Sequence, residues 1–404
     1  TDGKIITWDA NGAAAVVGPG TDGQVLTSTG AGSPPAFETI STTDTLSFRN
    51  LIINGAMQVA QRGTSSTSTG YQTVDRCGLT AGGTDETPTQ AQHALTSSDT
   101  GPWEKGLRYS YHMTNGDQTS GAGAAVRCSF TTILEAQDLA NSGWDYTSAS
   151  SYITLSYWVK SSVAQNFYGR LYSYDGTSQG YSWETGSLSA NTWTKVTKTI
   201  PGDSNLTFDN NNSSGLMISF ATYMGTDGTD AGNSLNTWAA WNINNRYPNF
   251  TSTWYTTDDA TFEITGVQLE VGSTATSFEH RSYDDELHRC KRYCYVMKGD
   301  QNDMTGAVGW CSDNGATSDG GFPFRLPVPM RTAPTFTPSG TWRLNSPAGN
   351  GSEQTADLSW AFDNLNFDAG WLLLTGVNTV ASTGDGAFLQ FRNTGTTFTW
   401  SAEL

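Results

Sequence analysis

The sequence predicts an all-β fold built from two or three units. Three observations support this prediction: the chain has 404 residues, 44 of them are Gly, and 12% are aromatic while only 15% are charged. An average soluble domain carries roughly 25% charged residues, so the surface of this chain must be rich in Ser, Thr, Asn and Gly instead. Aromatic and β-branched residues favour strands, and Gly, Asn and Asp favour the turns between them. At roughly 150 residues per domain, a chain of this length is expected to form two or three units.

Residues 1–45 contain a short internal repeat. The sequence TDGKIIT at residues 1–7 returns as TDGQVLT at residues 21–27, and each copy is followed by a Gly-rich stretch. One copy holds too few apolar residues to bury a core, so the repeat needs neighbours, either further repeats or sister chains. We predict a fibrous segment that gains order from oligomerisation, with a flexible Gly/Ser linker as the alternative.

Residues 46–283 are predicted to form a central β-sandwich. The apolar run at 51–55 ends in a turn pair, and alternating segments separated by turn clusters follow it. One short helical piece is expected near residues 133–140. Seven or more antiparallel strands without βα units are typical of a jelly roll. The predicted strands cover residues 106–113, 124–131, 152–159, 167–174, 193–200, 216–223 and 260–269.

Residues 284–300 are predicted to link the sandwich to a further domain through an amphipathic helix over 284–297. Acidic residues open this segment and cations follow, an order that suits the helix dipole. We expect the helix to pack against copies of itself around a three-fold axis, and docking on its own sandwich is the alternative. The apolar residues at helical spacing are Leu287, Cys290, Cys294 and Met297.

Residues 301–404 are predicted to form a second β domain. Spaced prolines in residues 322–331 predict an extended, edge-type strand, because Pro cannot donate to a sheet ladder. Residues 398–404 end the chain without a polar tail, so the terminus is predicted to be an ordered strand.

The charge and the cysteines narrow the classes of partner. A net charge of -17 argues against nucleic acid and anionic bilayers. No apolar run approaches the roughly 18 residues of a membrane span, and residue 1 opens no signal pattern, so we expect no membrane insertion and synthesis in a cytoplasm.

Without paired CxxC spacing, a disulfide framework and a zinc site are disfavoured, and we expect reduced, mostly buried thiols at Cys77, Cys128, Cys290, Cys294 and Cys311.

No catalytic residue, metal site or cofactor is predicted. The four histidines stand in no hydrolase or metalloprotease motif. A glycosidase needs two carboxylates about 5 to 9 Å apart, and Asp258, Asp259 and Glu263 are the best candidates, with solvated turn residues as the simpler interpretation. The Asp/Asn-rich turns at 203–212 and 227–230 leave calcium open, although ordinary turn chemistry also explains them.

Specific motifs extend from the N-terminus to the predicted helix, at residues 20–28, 50–64, 152–162, 264–272, 278–281 and 290–293. Together they resemble a family of bacteriophage tail-fibre and receptor-binding proteins with a jelly roll like that of carbohydrate-binding modules. In this resemblance, residues 50–64 correspond to the entry strand of the globular domain. The family motif Tyr-x-x-Asp-Arg-Trp is only approximated here, because three residues separate Tyr71 from Asp75 and Cys77 follows Arg76.

The resemblance implies a homotrimeric structural adhesin of the virion tail that binds a host-surface glycan or another receptor and is not an enzyme. We expect residues 1–45 to attach to other tail proteins and residues 305–404 to form an outward tip. Loops at 312–321 and 345–354 are the first candidates for host contact. The alternatives are a glycan depolymerase and a purely architectural fibre or capsid decoration.

Four aromatic residues are the candidates for ligand contact within the sandwich. Aromatic rings stack on sugar C–H faces while neighbouring Asn, Asp and Gln bind hydroxyls. The densest aromatic and Asn-rich stretch spans residues 238–255. Packing in the core or in a trimer interface is the alternative role for Trp238, Trp241, Trp254 and Tyr255.

Overall fold

The computed structural model describes residues 3–9, 11–21, 24–28, 33–39, 49–299, 305–313, 320–345, 352–354, 357–361, 368–375, 386–391 and 395–404. The chain divides into two compact units, Thr1–Arg49 and Asn50–Leu404. The described residues form antiparallel sheets and two short α-helices, which confirms the predicted all-β fold. None of the helices in this described part is long and apolar enough to span a membrane.

The first unit consists of two hairpins, one for each copy of the repeat. The first copy supplies the leading strand of one hairpin and the second copy that of the other. Their apolar side chains stay largely exposed, with Ile6 at 67% and Trp8 at 65%. A two-stranded hairpin has no second layer on which to bury such residues. The strands are β1 (Ile5–Trp8), β2 (Ala14–Val17), β3 (Gln24–Thr27) and β4 (Ala36–Thr39).

The second unit opens with a sandwich of two six-stranded sheets. Its elements are β5 (Ser65–Ser66), β6 (Gly78–Gly82), β7 (Thr89–Ala94), β8 (Tyr109–Thr114), β9 (Arg127–Glu135), α1 (Ala136–Ala140), β10 (Tyr152–Ser161), β11 (Asn166–Ser173), β12 (Gln179–Ser187), β13 (Thr194–Pro201), β14 (Ser214–Met224), β15 (Trp238–Ala240) and β16 (Thr261–Val271). Sheet I has the order β13-β10-β16-β8-β7-β5 and sheet II the order β15-β12-β11-β14-β9-β6. The chain crosses repeatedly between the sheets, as in a jelly roll. All seven predicted strands are present.

Aromatic side chains join the two sheets in one core. Tyr157 of sheet I packs edge-to-face on Phe220 of sheet II at 4.9 Å between ring centroids, and its hydroxyl accepts a hydrogen bond from the Trp183 indole. Phe167 and Phe262 form a second contact across the layers at 5.0 Å. Alternation of inward and outward side chains along each strand places these residues inside and leaves the opposite face of each sheet outside.

The motif segment at residues 50–64 forms a network of turns, so its prediction as an entry strand is wrong. Asn54 has a left-handed φ of 61°, which Asn tolerates better than most residues. Its side chain donates to the Val59 and Asp75 carbonyls and accepts from the Val59 amide. Local bonds of this kind compete with a sheet ladder and favour a turn.

The second helix is shorter than predicted. It begins after Ser282, whose hydroxyl accepts from the Asp285 amide, and α2 ends at Lys291. The predicted remainder lies in a strand, because the backbone of Cys294–Lys298 pairs with the C-terminal strand. Within one chain Glu286 and Cys290 are already buried. The inward face of α2 therefore docks on its own unit, as in the alternative, and packing of α2 against sister chains stays a prediction.

The C-terminal strands form a three-stranded sheet, β17-β26-β20, and a seven-stranded sheet, β22-β21-β25-β18-β19-β24-β23. The observed terminal strand confirms the prediction for the chain end. Their bounds are β17 (Cys294–Lys298), β18 (Thr305–Asp313), β19 (Gly320–Arg325), β20 (Thr335–Ser339), β21 (Trp342–Asn345), β22 (Ser352–Gln354), β23 (Asp357–Ala361), β24 (Ala369–Thr375), β25 (Gly386–Phe391) and β26 (Thr397–Ser401).

The proline-rich strand is shorter and less peripheral than predicted. It ends at Arg325, and β19 lies between β18 and β24. Pro323 pairs with Trp371 of β24 and lies beyond the residues that pair with β18, so no bond to β18 is lost at this position. Most of the two candidate loops at 312–321 and 345–354 lies outside the described residues. The division into a sandwich and a separate tip stays a prediction.

A buried ionic cluster connects the sandwich, α2 and the chain end. Arg76 donates to the Glu403 carboxylate and the Ile133 carbonyl, and its guanidinium lies 3.5 Å from the Tyr293 ring centroid. Arg62 adds a second cation 3.2 Å from Glu403. We call Arg62, Arg76, Tyr293 and Glu403 the junction cluster. The family-like Asp-Arg motif therefore has a structural role in this chain.

Candidate ligand-binding site

The outward face of sheet II carries the candidate site. Along β11, Phe167 and Leu171 point into the core, while Tyr168, Arg170 and Tyr172 occupy the alternate positions. An arginine flanked by two tyrosines at a spacing of two residues therefore lies on the outer surface of the sheet.

A long loop, residues 225–250, folds back over this surface and is fixed at several points. The Tyr247 hydroxyl bonds the Ser219 hydroxyl of β14 at 3.2 Å, and the Ser182 hydroxyl of β12 donates to the Arg246 carbonyl at 2.7 Å. The Trp241 amide donates to the Ser178 carbonyl at 2.9 Å. These bonds attach the loop to the rigid sheet, an arrangement suited to holding side chains in a binding geometry.

Between the loop and the sheet lies an open pocket of about 120 Å³. The Trp241 ring forms one wall, with Tyr172 at 4.6 Å and the Arg170 guanidinium at 4.5 Å from its centroid. Gly180 also lines the pocket, and a Cβ there would only reach ordinary van der Waals contact with the indole at 3.4 Å. The lining consists of Arg170, Gly180, Ser182, Gly232, Asn233, Ser234, Thr237, Ala239, Ala240, Trp241, Asn242, Asn245 and Arg246.

Two lining side chains carry buried polar atoms without a hydrogen-bond partner. Arg170 is only 8% exposed, and neither its Nε nor its Nη1 is bonded. The Asn233 amide donates to Asn245 Oδ1 at 2.8 Å, but its own Oδ1 accepts nothing. Leaving a buried polar group unbonded costs about 1–3 kcal/mol, which a ligand that bonds the group would recover. The pocket lining thus combines an aromatic wall with two side chains that hold unbonded polar atoms.

Only one of the four predicted contact residues lines this pocket. Trp241 does so, while the other three are buried and take the packing role that was the alternative. Trp238 is 8% exposed and turns inward, with its indole donating to the Pro201 carbonyl. Trp254 has no exposed surface, and Tyr255 stacks on Tyr223 in the core. Burial of large aromatic side chains stabilises the fold, and these three side chains pack in the core instead of facing a ligand.

Arg170 and Asn233 were not among the ligand-contact residues predicted from the sequence. A signal for Arg170 was present in the strand predicted at 167–174, where the polar face carries Tyr168, Arg170 and Tyr172 in alternation with core residues. Asn233 gave no such signal, because its position depends on how the 225–250 loop folds back onto the sheet.

A second polar group lies on sheet I around Glu263. His93, His112 and Glu263 offer ligand atoms within 4.8 Å of one another, so these three side chains could hold a divalent metal ion. Lys160 Nζ lies 2.8 Å from Glu263 Oε1, and the Ser110 hydroxyl donates to Oε2 at 2.7 Å. The ammonium already compensates the buried carboxylate, so the geometry favours an ion-pair network over a metal centre.

The same contacts bear on the carboxylates considered for glycan cleavage. Glu263 is 3% exposed and has its oxygens occupied, while Asp258 and Asp259 lie on the surface. The turns considered for calcium are held by their own side chains: Asp203 accepts from the Asn205 amide and Asp230 from the Gly232 amide. Such Asx turns explain these residues without an ion.

The four cysteines whose side chains are described are free and buried, as expected: Cys77, Cys128, Cys290 and Cys294. Burial raises the pKa of each of these thiols, to about 12 for Cys77 and for Cys128. Because the thiolate is the nucleophile, these thiols are unsuited to covalent catalysis.

No family model and no curated protein matches this chain. Similar solved structures include the enzymatically active domain of tailspike protein 4 from bacteriophage CBA120, with 10% identity and a TM-score of 0.28 over 55% of this chain and 21% of that one. Others are the N-terminal cellulose-binding domain of Cellulomonas fimi β-1,4-glucanase C (12%, 0.25, covering 54% and 99%) and the family 11 carbohydrate-binding module of Clostridium thermocellum Lic26A-Cel5E (10%, 0.24, covering 52% and 96%). The match spans about a fifth of the tailspike domain. Scores this low carry no argument about the ligand of this chain.

Proposed function

We propose that this protein is a glycan-binding adhesin of the bacteriophage tail-fibre type and that the Trp241 pocket on sheet II binds the glycan. One observation carries the proposal: the aromatic ring of Trp241 and two side chains with unbonded polar atoms, Arg170 and Asn233, line the same open pocket. The resemblance of the sequence motifs to phage tail-fibre proteins supplies the expected biological setting.

The pocket matches the chemistry of a sugar ring. The C–H face of a pyranose would lie against Trp241, since aromatic surfaces favour such contacts. Its hydroxyls would donate to Asn233 Oδ1 and accept from Arg170, which satisfies both buried groups on binding. The small residues Gly180, Ala239 and Ala240 complete the part of the lining nearest β12 and β15.

The test is binding without cleavage. The purified protein is expected to bind an envelope polysaccharide from a susceptible host and to release no new reducing ends from it. Trp241→Ala should weaken this binding at least about tenfold, a loss of about 1.4 kcal/mol. Trp371→Ala, which removes a 40% exposed tryptophan outside the pocket lining, is the matched control and should bind normally.

Three outcomes would count against the proposal. New reducing ends would favour the depolymerase alternative. A complete lack of host binding would favour an architectural fibre or capsid decoration. Normal binding by the Trp241→Ala variant would move the ligand to another surface, with the loops at 312–321 and 345–354 as the next candidates.

We also propose a homotrimer that attaches to the virion tail through residues 1–45. The exposed Ile6, Trp8 and Val16 of the first hairpin support association, because such apolar side chains gain from burial against the same segment of sister chains. Light scattering should give about three times the chain mass of 43.3 kDa. Deleting residues 1–45 should abolish incorporation into tails while glycan binding persists, and labelling of intact particles should place the protein on the tail.

A further inference from the structure

The charge of the pocket is opposite to that of the chain. The protein carries 38 acidic against 21 basic residues, a net charge of -17. The described lining of the pocket nevertheless includes Arg170 and Arg246 and neither Asp nor Glu. The absence of a carboxylate beside Arg170 is unexpected in an acidic chain, because a buried arginine is normally paired.

Arg170 is the buried cation of the two, and two of its nitrogens lack a hydrogen-bond partner. Its guanidinium lies between the Trp241 ring at 4.5 Å and the Tyr247 ring at 5.4 Å. These rings stabilise the positive charge from the sides, but they leave Nε and Nη1 unbonded. Guanidinium N–H groups form their strongest hydrogen bonds with anionic oxygens, and carboxylates match their planar geometry.

Arg246 adds a second positive charge at the same opening. Its Nε donates to the Ile243 carbonyl at 2.9 Å, which fixes the side chain over the loop, and its guanidinium lies 5.9 Å from the Trp241 centroid. Burial and then the charge of Arg170 lower its pKa from the usual value. An anion bound between the two arginines would relieve this repulsion.

We propose that the pocket selects an anionic sugar unit, with its carboxylate or sulfate group on Arg170 and Arg246, its ring on Trp241 and a hydroxyl on Asn233. This inference rests on the proposed glycan-binding function and adds the chemical class of the ligand. A neutral sugar would leave the Arg170 donors facing weaker acceptors and would not offset the paired positive charges.

Matched polysaccharide pairs test the inference with the full chain. One pair is alginate and its carboxyl-reduced form, and the other is κ-carrageenan and its desulfated form. Calorimetry is expected to show at least about tenfold tighter binding to the anionic member of one pair, with the preference falling as salt rises. The pair that shows the preference identifies the group as carboxylate or sulfate.

The possible outcomes distinguish a failure of the anionic selection from a failure of the proposed glycan-binding function. Equal binding to both members of each pair would overturn the anionic selection and leave glycan binding in place. Binding to neither pair, combined with binding to a neutral envelope polysaccharide, would also overturn the inference alone. Binding to no glycan at all would overturn both proposals.

Variants assign the preference to the pocket. Arg170→Gln should reduce the ratio of anionic to neutral binding towards one. Arg108→Gln is the matched control: Arg108 also stacks on a tryptophan, Trp103, at 3.8 Å, but it is exposed and lies outside the pocket lining. It loses the same charge, and its ratio should not change. An unchanged ratio in Arg170→Gln, with thermal melting like that of the wild type, would contradict the assignment.

Discussion

Arg76 and Arg170 are both buried arginines in the same unit, and they differ in what surrounds their guanidinium groups. Arg76, 2% exposed, donates to the Glu403 carboxylate and to a backbone carbonyl in the junction cluster. Arg170, 8% exposed, contacts aromatic rings and leaves two nitrogens without a partner.

This difference distinguishes a structural charge from a binding one. A charge that holds elements together must be compensated within the chain, because an isolated ion is costly to bury. A charge that binds a ligand is compensated only in the complex, so the free protein is destabilised by an uncompensated buried charge. Burial alone does not separate the two arginines, whereas the number of unbonded nitrogens does.

The largest effect on the free energy of unfolding is expected for a substitution in the junction cluster. Arg76→Met keeps the length of the side chain but leaves Glu403 with Arg62 alone and the Ile133 carbonyl without its donor. Breaking a buried pair in this way costs about 3–5 kcal/mol. Denaturant unfolding should show a loss of this size in the free energy of unfolding.

A control addresses loss of the Arg76 stem rather than its charge. Arg76→Lys keeps a cation but cannot make the same forked contacts, so its stability should fall between wild type and Arg76→Met. A loss below about 1 kcal/mol in Arg76→Met would contradict the structural role of the cluster.

The same contrast explains what the sequence could predict. Alternating core and surface residues set the strands of the sandwich locally, so all seven predicted segments are found. The junction cluster joins Arg76 to Glu403 across 327 positions, and no local pattern indicates that pairing. The helix predicted over 284–297 ended early for a similar reason, because Cys294–Lys298 pairs with the distant strand Thr397–Ser401.

The site was predicted less well than the fold. An aromatic-rich stretch indicates the region but not which rings face outward, and only Trp241 of the four candidates does. Trp254 is held inside by bonds to Gln165 and Thr261, which are tertiary contacts. A β-strand period of two would have assigned Arg170 to the outer face, whereas a loop residue such as Asn233 has no comparable period.

An intermediate effect on stability is expected for Lys160 of β10, whose ammonium lies 2.8 Å from Glu263 on sheet I and 3.0 Å from Asp99 in the connection between β7 and β8. Burial alone would raise the pKa of Glu263, but contacts from His112 and Lys160 outweigh it and hold the pKa well below the ordinary value. For Asp99, burial is likewise outweighed by hydrogen bonds, first from Trp193, and the pKa falls to about 2. Lys160→Met should therefore cost about 1–3 kcal/mol at pH 7.

The sign of the pH dependence follows from these lowered pKa values. The unfolded chain binds protons at these carboxylates more readily than the folded chain, so their stabilisation is present above about pH 4.5 and is lost as the pH falls towards 2. The stability difference between wild type and Lys160→Met should shrink over that range. Lys195→Met, an exposed site on the adjacent strand, should show no such change. A difference that stays constant from pH 7 to pH 3 would contradict the network.

The smallest effect on stability is expected for Arg170→Met, and this small effect is the sharpest test of the comparison. The variant loses cation–π contacts with Trp241 and Tyr247, worth about 0.5–1 kcal/mol each. It also removes one buried guanidinium group with two unbonded nitrogens, which returns about 1–3 kcal/mol. The free energy of unfolding should thus fall by no more than about 1 kcal/mol relative to wild type while glycan binding is lost. A loss of 3 kcal/mol or more, like that expected for Arg76→Met, would mean that Arg170 is a structural charge and that the pocket is part of the fold.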